Sequence, residues 1–124
     1  MRNPPDAVRG AGALAQVTLA LGAGGTPTAE DLRDAVKYTL YLLTGHHPGH
    51  AVEVRIPPIA AVGILPGPRH RRGTPPAVVE TDPMTWCALA VGLRTWSAAV
   101  ADGSVRASGA RSDLSGLLPL AVMP

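Results

Sequence analysis

The spacing of the apolar residues changes near residue 51 of this chain, and the change restricts the folds open to it. From residue 28 to residue 45 they recur every three or four positions, as on a helix with one buried face: Leu32, Ala35, Val36, Thr39, Leu40 and Leu43. From residue 51 they alternate with polar residues: Val52, Val54 and Ile56, with Glu53 and Arg55 between them. This alternation predicts a strand with one buried face. A chain of 124 residues suffices for one domain, and that domain must combine helices with strands.

The N-terminal part predicts two helices. Residues 7 to about 21 have helical spacing and follow a Pro-Pro-Asp turn signal. Thr28 and Asp31 have the spacing of a capping box, in which a hydroxyl and a carboxylate three residues later mark a helix start. Gly45 predicts the end of that second helix.

Three more strands are predicted, at residues 59–65, 77–81 and 104–108. The first is apolar on both faces, which is typical of a central strand. The first two are joined by residues 66–76, and if they pair antiparallel, this loop of about eleven residues is longer than a hairpin needs. Loops of that length are more often functional than accidental.

Helix signals return after residue 81. Asp82 before Pro83 predicts the capped start of a helix that is apolar around most of its circumference and that ends at Gly92. Thr95 caps a short helix, and residues 114–118 predict a last brief helix before a proline.

Composition excludes several protein classes. Hydrophobic residues make up 46% of the chain and charged residues 16%, which is too apolar for a disordered protein. Proline and glycine interrupt the apolar runs too often for a membrane span. Because no basic segment leads into an apolar run with a cleavage site, we expect a cytoplasmic protein. Cys87 is the only cysteine, so no internal disulfide forms, and its apolar neighbours predict an unreactive buried thiol.

Charge is concentrated in one proline-framed and glycine-framed segment, which contains Arg69, His70, Arg71 and Arg72. Guanidinium groups bind phosphate and carboxylate in a bidentate manner, so these residues predict a site for an anionic head group or an anionic membrane surface. The alternative is a solvated loop whose arginines pair with Glu53, Glu80 or Asp82. Nucleic acid is disfavoured as a partner because no aromatic residues are interleaved with the cations.

No pattern calls for catalysis or a metal. His46, His47 and His50 are close in sequence, but no acidic residue or cysteine nearby completes a metal site, and a polar loop is the simpler interpretation. The chain has no nucleophile elbow, phosphate-binding glycine loop or paired-carboxylate motif. We therefore expect a protein that is not an enzyme, without catalytic residues, metal or cofactor.

Residues 81–109 carry a family resemblance in the sequence TDPMTWCALAVGLRTWSAAVADGSVRASG. An Asp-capped helix ending at glycine, a short helix ending in a glycine turn and a strand ending in glycine follow in the order of sterol carrier protein type 2 domains. With VEVRIPP at 52–58 and GPRHRRGTPP at 67–76, the chain resembles more specifically the small actinobacterial "sterol carrier family" proteins. The similarity covers residues 28–120 of a single domain, and residues 1–27 are a helical extension.

The resemblance implies an α+β fold, in which a curved mixed β-sheet of about five strands has helices packed on one face. It also implies an apolar cavity between the layers and the carriage of a lipid, fatty acyl group or sterol without covalent chemistry. We expect the ligand to contact seven residues: Trp86, Leu89, Ala90, Leu93, Trp96, Val62 and Ile64. These residues are called the predicted wall below.

Three alternatives remain open. In the first, residues 7–21 or 114–120 cover the apolar helix after Asp82, and no ligand does. In the second, the protein has a filled core and a structural or interaction role, with residues 66–76 docking on an anionic partner such as an acidic protein. In the third, the protein is an accessory subunit of a thiol-dependent isomerase, since similar domains are appended to such enzymes. The oligomeric state is also open, a dimer included.

Overall fold

A computed structural model describes residues 6–67 and 77–120. These ranges contain four helices and four strands. In chain order they are α1 (Ala7–Gly22), α2 (Ala29–His46), β1 (Val52–Ile56), β2 (Ala60–Ile64), β3 (Ala77–Thr81), α3 (Pro83–Val91), α4 (Trp96–Ala101) and β4 (Val105–Ser108). Each of these elements is predicted by the sequence, within a few residues at its ends.

Every helix begins at a side chain that accepts hydrogen bonds from the first turn. The caps are Asp6, Thr28, Asp82 and Thr95, and they satisfy backbone N–H groups that have no partner within the helix. The predicted end of α2 at Gly45 is one residue short, because Gly45 stays helical and α2 ends at His46.

The strand order is β2-β1-β3-β4. β1 is antiparallel to β2 and parallel to β3, with Val54 opposite both Val62 and Val79, and β4 is antiparallel to β3. The expectation of a central β2 is therefore wrong, because β2 lies at the edge of the described sheet. The antiparallel pairing of β2 with β3, which sequence analysis considered as one possibility, does not occur, since both strands pair with β1. The second face of β2 consists of Ala61 and Gly63, which leave little apolar surface that needs cover.

The helices cover one face of this sheet. Most strand residues on that face are buried. Val54, Ile56 and Val79 have no exposed surface and join Leu40 of α2 and Trp86 of α3 in a single apolar core. The predicted α+β fold with a mixed sheet covered on one face is confirmed, with four strands in the described residues where about five were expected. Within residues 6–67 and 77–120, no helix is both long and apolar enough to cross a bilayer.

The uncovered face of the sheet carries charged side chains. Glu80 of β3 lies between Arg55 of β1 and Arg106 of β4 in the strand register. Glu80 forms an ion pair with Arg106, and Arg55 forms one with Glu53 on its own strand. Charges of both signs thus alternate across three neighbouring strands on the side that faces away from the helices.

The predicted helix at 114–118 is wrong, because the segment forms only a single turn. The Leu117 N–H donates to the Leu114 carbonyl at 2.9 Å, and Pro119, which has no N–H, prevents a second turn. The segment nevertheless packs on the core, since Leu114 is fully buried and the Leu120 N–H donates to the Ala90 carbonyl at 2.9 Å.

Candidate functional site

The site predicted from sequence centres on α3, whose residues from Thr85 to Ala90 are all buried. Asp82 fixes the start of the helix by accepting hydrogen bonds from the Thr85 N–H at 2.9 Å and from the Thr85 hydroxyl at 2.7 Å. Sequence analysis left open whether residues 7–21 or 114–120 cover this helix, and both segments contact α3. α1 packs against it, and the 114–120 segment reaches it through the hydrogen bond from Leu120 to Ala90. The chain's own residues therefore cover much of this apolar helix.

Trp86 is the largest side chain with no exposed surface, and its polar atom has a partner. Its indole Nε1–H donates to Thr39 Oγ1 of α2 at 2.8 Å, and the Thr39 hydroxyl in turn contacts the Ala35 carbonyl at 2.8 Å. Among the described residues, no buried side-chain nitrogen or oxygen atom lacks a hydrogen-bond partner. Sequence analysis placed Thr39 in an apolar stripe and missed this role; a hydroxyl within such a stripe was the available signal.

The structure brings most of the predicted wall together. Trp86, Leu89, Ala90, Val62 and Ile64 are buried members of one core cluster. Trp96 is half-buried and packs against that cluster, whereas Leu93 is 47% exposed. The wall thus extends from the core to the surface at the connection between α3 and α4. Its role in ligand binding stays a prediction.

Two open depressions lie on the other side of the sheet, each with a volume of about 300 Å³. The first is lined by Pro57, Glu80, Thr81, Asp82, Gly103, Ser104 and Arg106, and the second by Val78, Glu80, Arg106, Ala107 and Ser108. Both are predominantly polar, and neither is lined by a residue of the predicted wall. They are polar grooves beside β4 and do not correspond to the apolar cavity expected between the sheet and the helices.

The predicted anion-binding residues Arg69, His70, Arg71 and Arg72 lie outside the described residues. The carboxylates considered as alternative partners for them do have other partners. Glu53 pairs with Arg55, Glu80 pairs with Arg106, and Asp82 caps α3.

The thiol of Cys87 is buried in α3. Burial raises the pKa of Cys87 to about 12, with a further contribution from the Asp82 carboxylate. Such a pKa keeps the thiol protonated at neutral pH, and the thiolate is the form that acts as a nucleophile or a metal ligand.

The histidine-rich turn after α2 brings two imidazole rings near each other. The rings of His46 and His47 meet edge to face, with centroids 6.4 Å apart. In the part of the chain that the structure describes, no group of three or more His, Cys, Asp or Glu side chains is arranged to hold a metal ion.

Comparison with known families identifies the chain. A family model described as "bacterial SCP ortholog" matches residues 28–120, the same range over which the sequence resembles sterol carrier proteins. The match spans most of the chain, which therefore belongs to this family, and the predicted resemblance is confirmed. A comparison with curated proteins gives no significant match. The family supports a lipid-carrier type of module and leaves the ligand unidentified.

Proposed function

We propose that this member of the bacterial SCP ortholog family is a non-catalytic carrier of an apolar or amphipathic ligand, such as a lipid, fatty acyl chain or sterol-like molecule. The ligand binds between the sheet and the helices, against the predicted wall. The observation that carries this proposal is the continuity of the wall. Its apolar side chains run from full burial at Trp86 and Leu89 to half burial at Trp96 and 47% exposure at Leu93.

A ligand reaches the buried part of the predicted wall only if protein side chains separate, since Trp86, Leu89 and Ala90 have almost no exposed surface. The element best suited to move is α4. It has six residues, and Ala99 is its only buried one. Segments with few buried contacts open at the lowest free-energy cost. Entry past Leu93 and Trp96 by displacement of α4 is therefore the route we propose.

The charged end of an amphipathic ligand requires a cation at the surface. Arg69, His70, Arg71 and Arg72 supply cationic and titratable groups in one short segment, and guanidinium groups suit carboxylate and phosphate. We assign this segment the role of holding an anionic head group.

The test uses the two tryptophans as reporters. The protein is titrated with oleic acid and with palmitoyl-coenzyme A while the Trp fluorescence is recorded, and native mass spectrometry examines the protein as extracted from the cell. Leu93→Ser is compared with the matched control Val100→Ser, because Val100 on α4 is 41% exposed and lies outside the wall. Loss of a buried apolar contact weakens binding several-fold, so we expect the first variant to bind less and the control to bind normally. A protein that carries no ligand and responds to neither probe refutes the proposal.

A second function is favoured by the covering of α3. Because α1 and the 114–120 segment pack on α3, and Trp86 is fully buried with its N–H satisfied, the core is also compatible with a structural or interaction protein. In that case residues 66–76 dock on an acidic partner. Pull-down at low salt with Arg69, Arg71 and Arg72 changed to Ala tests this function. The same partners recovered with the variant count against it.

A further inference from the structure

The outer face of α1 is exposed and apolar. Only three side chains of this helix are polar: Arg9, Gln16 and Thr18. Val8 is 84% exposed and Leu19 is 68% exposed, the two highest values among the large hydrophobic side chains of the described residues. A surface helix usually presents charged and polar residues to solvent, whereas a helix that is apolar on all sides is enclosed. The outer face of α1 therefore has the composition of an interface.

Two rows of residues with the same spacing run along opposite sides of α1. The row called the inner seam is buried or half-buried and consists of Gly10, Leu14, Val17 and Leu21. The row called the outer seam is exposed and consists of Val8, Gly12, Ala15 and Leu19. A shift of two residues turns about 200° around a helix, which puts the two seams on opposite sides. Their alternating steps of four and three residues are those of the a and d positions of a coiled coil, so each seam can pack along another helix.

The inner seam shows how such a row is filled within this chain. α1 packs against α2 and α3, and Leu14 and Val17 belong to the apolar core. The seam glycine allows a close approach, since a Cβ on Gly10 would lie 2.6 Å from the Tyr38 Cβ of α2. The outer seam also contains a glycine, but no described atom lies within 4 Å of a Cβ built on Gly12. The outer seam is thus a helix-packing surface that no described helix of this chain occupies.

We propose that the outer seam is a dimer interface, on which α1 of a second copy of this chain packs antiparallel. A two-fold axis between residues 13 and 14 places Val8 opposite Leu19 of the partner subunit and Gly12 opposite Ala15 of the partner subunit. Large side chains then meet at both ends of the contact, and small ones meet at its centre, where the helices cross. The seam is complementary to itself, which favours a second copy over an unlike protein. Arg9 lies outside the seam and keeps its ion pair with Glu30.

The size of this contact predicts how tightly the dimer forms. α1 has 16 residues and is therefore about 24 Å long. A contact along one face of such a helix lies below or at the lower end of the range of about 1,200–2,000 Å² that specific interfaces bury. We therefore expect a reversible dimer that dissociates on dilution. The outer seam contains no residue of the predicted wall, so this inference is independent of the proposed carrier function.

Sedimentation equilibrium of the full chain tests the interface, at concentrations from about 10 μM to about 1 mM, where a small interface dissociates. We expect the average mass to rise from that of a monomer towards that of a dimer. Leu19→Glu places a charge in the apolar contact and should raise the dissociation constant about tenfold or more. The control is Val100→Glu, which adds the same charge at a 41% exposed valine of α4, outside the seam. It should dimerise like the unchanged chain. Because both positions are exposed in the monomer, circular dichroism of the dilute variants should show the native fold.

A double variant, Val8→Lys with Leu19→Glu, tests the antiparallel register. In that register each introduced lysine faces the introduced glutamate of the other copy, so the double variant should dimerise more tightly than either single variant. In a parallel pair, like charges would meet and the double variant would dimerise less tightly than both. That result overturns the proposal, as does a chain that is monomeric at every concentration or an equal effect of Leu19→Glu and Val100→Glu. So does a monomer that sediments with phosphatidylcholine vesicles and loses this binding in Leu19→Glu, because a bilayer would then occupy the seam.

Discussion

Replacing Gly10 with alanine tests how closely α1 and α2 approach. Gly10 is buried where α1 crosses α2, and a Cβ there would lie 2.6 Å from both Cβ and Cγ of Tyr38. Normal contact between carbon atoms is about 3.5–4.0 Å, so the helices have to separate by about 1 Å. Overpacking of this kind costs about 1–3 kcal/mol, whereas alanine in a helix gains about 0.5–1 kcal/mol over glycine.

The same helix provides the control. Gly12 is exposed, and a Cβ there would meet no atom within 4 Å. Gly12→Ala therefore keeps only the propensity gain, and the two variants should differ by about 1–3 kcal/mol in the free energy of unfolding, with Gly10→Ala less stable. Urea denaturation followed by circular dichroism measures both, and the difference amounts to roughly 1 M in midpoint. If the two substitutions shift the midpoint equally, the close approach of Gly10 to Tyr38 is not present in solution.

Three further predictions concern polar groups. Thr39→Val leaves the buried Trp86 N–H without its acceptor and should cost about 1–3 kcal/mol in urea unfolding; an unchanged midpoint would contradict the hydrogen bond. Because burial raises the pKa of Cys87 to about 12, the thiol should not react with Ellman's reagent at pH 8 until urea unfolds the protein, and reaction in the native state would show that α3 is accessible. Hydrogen bonds from Ser104 lower the pKa of the Asp102 carboxyl, with Arg94 contributing less. A carboxyl whose pKa is lower in the folded state stabilises the protein at pH values above the ordinary aspartate pKa. This stabilisation is lost as the pH falls through the folded-state pKa. Asp102→Asn should therefore reduce the acid-side loss of stability in denaturation measured from pH 6 to pH 2, and identical pH profiles would exclude this contribution.

Local patterns predicted the elements of this fold more completely than their arrangement. The caps at Thr28 and Asp82 act within a few residues of their own helices, so the sequence alone located both starts. The edge position of β2 depends on which strands pair, and the apolar sequence of a strand does not show which other strands lie beside it in the sheet. β1 lies between β2 and β3 and pairs with both, an arrangement that the order of β2 and β3 in the chain does not reveal.

The predicted wall shows the same limit. Its burial at Trp86, Leu89 and Ala90 followed from an all-apolar helix, which has to be enclosed on most sides. Sequence analysis left open whether residues 7–21, residues 114–120 or a ligand enclose it, because a local pattern does not show which distant segment packs there, and α1 and the 114–120 segment both contact α3. The partner of the Trp86 N–H lies 47 residues away in sequence, and no local pattern joins the two.

The alternating charges on the uncovered face of the sheet have a consequence for strand alignment. On the covered face, β1 presents Val52, Val54 and Ile56, three β-branched residues so similar that a slip of two positions would leave that face almost unchanged. The same slip would bring Glu53 opposite Glu80 in place of Arg55, and like charges directly opposite one another are unfavourable. The charged residues on the solvent-facing side of the sheet thus favour the observed strand register over registers in which the apolar side would be packed equally well.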